Sequence, residues 1–207
     1  MPGLRAAAVR GIRVCLALAA AGAVAQACAG RNVERGERVS GSLRYLALGD
    51  SYTIGEGVEP AARWPVRLAA LLRARGVNVA DPQIIARTGW TTDELAAGID
   101  AARPEGPYAL VSLLIGVNNQ YRGLSIDAYR QEFRDLLRRA ITFAGEDAGR
   151  VVVVSIPDWS VTAFAEGRDR ATVAREVEAF NEVNRDVARE LGARWVDVTP
   201  TSRRMPA

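Results

Sequence analysis

Leu110-Val111-Ser112-Leu113-Leu114-Ile115, followed at once by Gly116-Val117-Asn118-Asn119-Gln120, is the stretch on which the fold turns. All but Ser112 of the first six are apolar, without the alternation of a strand that faces water on one side. A short apolar run of this kind, stopped by glycine, reads as a strand covered on both faces, the habit of parallel sheets. A second such run, Val151-Val152-Val153-Val154-Ser155-Ile156, ends at Pro157. Between them, Ile126, Tyr129, Phe133, Leu136, Leu137, Ala140 and Ile141 recur at three and four, which predicts a helix over 125–144. Ser125 stands where a cap is needed and Gly145 where the helix should stop.

Working outward, the same alternation continues in both directions. Residues 43–48 form a short apolar run stopped by Gly49, and Leu68, Leu71 and Leu72 share one face of a helix predicted over 65–75. Residues 77–86 are strand-like, but Asp81-Pro82 interrupts them and argues for an edge or a bend. A short helix fits 92–102, a long one fits 168–191, and a fifth strand fits 194–198. Strands alternating with helices predict an α/β domain, a parallel sheet with helices on both faces. No internal repeat or low-complexity tract is present.

The 207 residues are long enough for one domain with a real core, and 49% hydrophobic against 25% charged is a globular balance. The net charge of +3 points weakly to an acidic partner, but its placement removes that meaning. Every basic residue is arginine, and Arg5, Arg10 and Arg13 precede residue 28, where no acid stands. The remainder carries arginines and acids in equal number, so nucleic acid is not expected as a partner. Those three arginines, the apolar run 14–25 and the ending Ala25-Gln26-Ala27 read as a signal peptide over 1–27. The run is too short for a transmembrane helix. Residues 28–42 are polar and glycine-bearing and read as a flexible tether, leaving 43–207 as the folded domain. Export is therefore expected. Cys28 directly after the cleavage site resembles a lipoprotein cysteine, although Gln26 and Ala25 depart from that pattern. Lipidation at Cys28 and simple release both remain open, and the membrane is expected as a partner only through the leader or that anchor. With Cys15 lost in the leader, a single thiol and no histidine, neither a disulfide nor a metal centre is expected, nor any cofactor.

In an open parallel sheet, functional groups collect on loops leaving the carboxyl ends of strands. Three such loops are chemically distinctive: Gly49-Asp50-Ser51-Tyr52, Thr88-Gly89-Trp90 and Gly116-Val117-Asn118-Asn119, after the first, second and third strands. Alone, each reads as readily as a turn or a cap. Together and in this order they resemble the SGNH, or GDSL, hydrolases, over essentially the whole of 43–207. The resemblance implies a three-layer, flavodoxin-like sandwich with strand order 2-1-3-4-5. It also implies a small-molecule or lipid ester as substrate, Ser51 as nucleophile, and an oxyanion hole from the N–H groups of Ser51 and Gly89 and the Asn118 amide. Asp50, Trp90 and Tyr121 are candidate substrate-side residues, with loop shaping for Asp50 and core packing for the two aromatics as the plainer alternatives.

One family element is missing. The resemblance implies an Asp-x-x-His after the fifth strand, whose histidine takes the serine proton. The chain contains no histidine and no lysine, and Asp197 falls within the predicted fifth strand rather than after it. Two explanations stand. The first, and the expectation here, is a chain that stops before its catalytic loop and last helix, leaving a stripe of the sheet uncovered. The second is a non-catalytic derivative that binds acyl or glycan ligands in the same cleft. Translating the DNA beyond codon 207 in three frames separates them.

Overall fold

The computed structural model describes residues 41–204. The leader, Cys28 and all but the end of the tether lie outside the described residues.

The five strands are β1 (Tyr45–Gly49), β2 (Gln83–Ala86), β3 (Leu110–Leu114), β4 (Val151–Val154) and β5 (Arg194–Val196). They pair in parallel in the order β2-β1-β3-β4-β5, as the resemblance implied. Position 47 of β1 aligns with Ser112 of β3, Val152 of β4 and Arg194 of β5, so side chains in these rows share a face. The helices are α1 (Ser51–Ile54), α2 (Trp64–Ala74), α3 (Thr92–Ala102), α4 (Val117–Tyr121), α5 (Ile126–Phe143), α6 (Arg170–Glu190) and α7 (Thr199–Ser202). None of the described helices is long and apolar enough to cross a membrane.

The two faces of the sheet are unequal. Leu46 and Leu48 of β1, Val111 and Leu113 of β3, and Val151 and Val153 of β4 join the large core formed with α3, α5 and α6. Tyr45 and Ala47 point the other way, into a small cluster with Ala69 of α2 and Val79. Farther along that second face, Val152 and Val154 are half-buried and Val196 is 45% exposed.

Predicted and observed elements agree in kind and differ at their ends. The stretch 77–86 shortens to β2, at the sheet edge, because Pro82 has no N–H for a ladder; upstream only an isolated Leu43–Val79 bridge forms. The long helix starts at Arg170, with Asp169 as its cap: the Asp169 carboxylate accepts from the Ala171 N–H at 3.1 Å. Asp197 lies beyond β5 rather than inside a strand, and its Oδ1 accepts from Ser155 Oγ and the Thr199 N–H. The link between β4 and α6 holds two 3-10 turns (Trp159–Val161 and Ala163–Ala165) that apolar periodicity did not signal.

Candidate active site

The site begins where β1 stops. A Cβ on Gly49 would lie 2.2 Å from Thr53 Oγ1 and 2.4 Å from the Leu114 carbonyl oxygen, so only glycine lets the chain turn tightly beside β3. Asp50 follows as the cap of α1 and accepts from the Tyr52 N–H at 3.0 Å. Ser51 is then the first residue of α1, delivered to the mouth of the sheet.

Gly89 comes from the loop after β2. It sits at φ +85, where a side chain would be strained, and its N–H donates to no acceptor among the described residues. Its carbonyl is pinned by Arg122 Nη2 at 2.6 Å. Asn118 comes from α4, and its Nδ2 donates to the Trp90 carbonyl at 2.9 Å. That bond uses one amide hydrogen and orients the other. Asn119 holds the same two loops together from below: its Oδ1 accepts from the Thr92 N–H at 3.2 Å, and its Nδ2 donates to Thr92 Oγ1 at 2.7 Å. The loops after β2 and β3 are therefore stapled to each other at three points.

Ser51, Gly89 and Asn118 line one cleft of about 810 Å³. Its wall is aromatic. Tyr121, Trp159 and Phe164 pack with ring centroids 5.7–5.8 Å apart, and Trp64 closes another side. Trp159 is held by a relay: its Nε1 donates to Gln120 Oε1 at 2.9 Å, and Gln120 Nε2 donates to Glu176 Oε2 at 2.7 Å. The Arg168 guanidinium lies 4.2 Å from the Tyr121 ring centroid, as in a cation–π contact.

Of the candidate substrate-side residues, only Tyr121 borders this cleft. Asp50 is fully buried and shapes the turn instead. Trp90 turns its indole under α3, where a Cβ on Gly98 would meet it at 2.2 Å; its carbonyl, not its ring, serves the site. Reading the sequence missed Trp64, Trp159 and Phe164, and the polar groups Gln120, Asn119 and Arg122 that set the loops. Asn119 lies inside the recognised block and Gln120 adjoins it, which was the only local signal for their roles.

Burial pushes the Asp50 carboxyl up to about 7, against the hydrogen bond from the Tyr52 N–H. Burial also pushes the Tyr52 phenol up to about 12, with the charges of Asp50 and Asp158 adding. Burial alone would raise Asp158, but hydrogen bonds from Ser160 and Arg203 prevail and hold it below the usual carboxylate range. The arrangement thus brings the Ser51 hydroxyl, Gly89 and the Asn118 amide to one cleft beside an aromatic wall. None of the 207 residues is a histidine that could accept the hydroxyl proton.

Known proteins share the fold and the family pattern. The model of the GDSL-like lipase/acylhydrolase family matches residues 47–206. Among solved structures, the SGNH-hydrolase family esterase AlinE4 is similar at 22% identity and TM-score 0.58, over 75% of this chain and 76% of its own. TesA is similar at 21% identity and TM-score 0.58, over 73% and 76%. Axe2, an acetylxylan esterase from Geobacillus stearothermophilus, is similar at 18% identity and TM-score 0.58, over 79% and 80%. No curated protein matches the chain. The three loops in order, their convergence on one cleft and the family match over nearly the whole described domain place this chain in the GDSL-like lipase/acylhydrolase family, the SGNH hydrolases of ester bonds.

Proposed function

We propose that the protein is an exported hydrolase of carboxylic esters that uses Ser51 as its nucleophile. The observation that carries this reading is the presence of Ser51, Gly89 and Asn118 on one cleft wall. Ser51 Oγ attacks the ester carbonyl carbon, and its proton passes to a base. The oxyanion that forms is held by the N–H groups of Ser51 and Gly89 and by the Asn118 amide. Collapse expels the alcohol with a proton and leaves an acyl group on Ser51, which water then removes as the acid. The leader supports export, and intact mass of the mature protein distinguishes lipidation at Cys28 from release.

The proton acceptor is the weak point. Arginine stays protonated, and histidine and lysine are absent from the 207 residues. Loss of the histidine in serine hydrolases lowers turnover by roughly 10⁶, with ~10³–10⁴ over water retained by the oxyanion hole and binding. This polypeptide is therefore expected to turn over p-nitrophenyl butyrate very slowly. Added imidazole, small enough to enter the cleft, should raise the rate of the wild type above that of Ser51→Ala. Equal rates for the two in imidazole would remove Ser51 from the nucleophile role. Rapid turnover without imidazole, lost in Ser51→Ala, would show that another base serves it. The zero histidine count also favours a second reading, in which the same cleft binds acyl or glycan ligands without cleaving them. Tight binding of ester analogues with no imidazole response would select that reading.

A further inference from the structure

Beside the serine cleft lies a second recess of about 340 Å³. The two share Gly55, Glu56, Val58 and Thr88 as wall, but their chemistry differs. Where the cleft is aromatic, the recess adds Arg63 and Arg87 to its lining. Neither arginine joins an ion pair among the described residues. Arg63 Nε is itself buried with no hydrogen-bond partner, so contact with a bound group falls to the terminal nitrogens of Arg63. Its stem is also confined: a Cβ on Gly55 would lie 2.6 Å from Arg63 Cγ, and Gly55 sits at φ +74, where glycine is favoured. The carboxylate of the recess, Glu56, is already engaged by a hydrogen bond from Thr88 Oγ1. Two cations against one occupied anion leave the recess with an excess single positive charge.

We propose that this recess is a subsite for a monoanionic group, a carboxylate or a phosphodiester, carried by the ester whose carbonyl lies at Ser51. The inference rests on the ester-hydrolase reading and names its substrate class. The planar guanidinium of an arginine can meet a two-oxygen anion with its paired terminal N–H groups in a fork, a geometry an ammonium could not offer. Glu56 on the shared wall sets the preferred charge: it opposes a dianion more than a monoanion. The acyl chain then lies along the aromatic wall, and the polar half of the ester extends past Glu56 and Thr88 into the recess.

Amide analogues, which Ser51 does not cleave, test this on the full chain by calorimetric titration. One pair is N-hexanoylglycine and its neutral primary amide; the other is N-hexanoylethanolamine methyl phosphate and neutral N-hexanoylethanolamine. At least one anionic member should bind about tenfold tighter than its neutral partner, as charge-assisted hydrogen bonds do, with the advantage shrinking as salt rises. The arm with the advantage identifies the anion as carboxylate or phosphodiester. Arg63→Gln and Arg87→Gln should each reduce that advantage while leaving the neutral affinities unchanged, which also reports that the variants are folded. Equal binding within both pairs, or an advantage intact in both variants, overturns the subsite alone. Failure of all four compounds to bind overturns the ester reading and the subsite together.

Discussion

Asp50 shapes the turn that carries Ser51 while lying buried away from the cleft. Its Oδ1 caps α1, while its Oδ2 is buried with no partner, so the ionised form is poorly solvated. The folded-state pKa of about 7 stands above the ordinary 3.8. Between those values the folded chain still holds a proton that the unfolded chain has released. Stability from this group therefore falls as pH rises from about 4 to about 7 and is level above that, by an amount on the order of a few kcal/mol. Asp50→Asn keeps an acceptor for the Tyr52 N–H and cannot ionise. Its urea midpoint relative to wild type should rise between pH 5 and pH 8; an equal offset at both would contradict a protonatable Asp50. The same burial explains why an aspartate beside Ser51, legible in the sequence, is not legible as a buried cap: exposure is a property of the packed neighbours.

At the level of elements, α3 and α4 matter because they hold loops in place. The α3 start is tied down by Glu94, whose carboxylate accepts from the Thr91 N–H at 2.9 Å and meets Arg122 at 3.4 Å. Partway along α3, Gly98 lets the helix lie flush on the Trp90 ring. Alanine at 98 improves helix propensity by roughly 1 kcal/mol, but its Cβ at 2.2 Å from the ring overpacks the contact at a cost of about 1–3 kcal/mol. Gly98→Ala should therefore be neutral to destabilising in urea unfolding, and should become stabilising once Trp90→Leu removes the ring. A clear gain from Gly98→Ala in the Trp90 background would show that the indole yields freely. The helix over 92–102 was readable from its pattern; its contact with Trp90 was not, because Trp90 was equally compatible with a pocket and with a core.

Across the whole molecule, a polar seam joins the last strands to the long helix. Asn181 of α6 accepts from the Ile156 N–H at 2.7 Å and donates to the Ile156 carbonyl at 3.0 Å. Asn184 donates to Asn181 Oδ1 at 3.1 Å and accepts from Trp195 Nε1 at 2.7 Å. Beyond it, Asp158 receives Arg203 Nε at 2.7 Å, which docks the segment after β5. Asn181→Ala would leave both backbone groups of Ile156 buried and unpaired, for a loss of about 2–4 kcal/mol in chemical denaturation. A loss below ~0.5 kcal/mol would mean that water replaces the amide. The seam also sets the position of the 3-10 turns that carry Trp159 and Phe164 to the cleft.

The sheet, its parallel sense and the three loops that meet at Ser51 were determined by local facts: uninterrupted apolar runs, helical periodicity and glycines at strand ends. These survive because a strand buried on both faces and a helix buried on one impose their own repeat on the sequence. The aromatic wall, the Gln120 relay, the burial of Asp50 and the arginine recess were decided only in three dimensions. Each depends on residues separated by tens of positions, as with Gln120 and Glu176, which no local pattern links. The sequence by itself marked Ser51 and the lack of any histidine; the tertiary structure decided what Ser51 faces, because packing chooses which side chains remain in contact with the cleft.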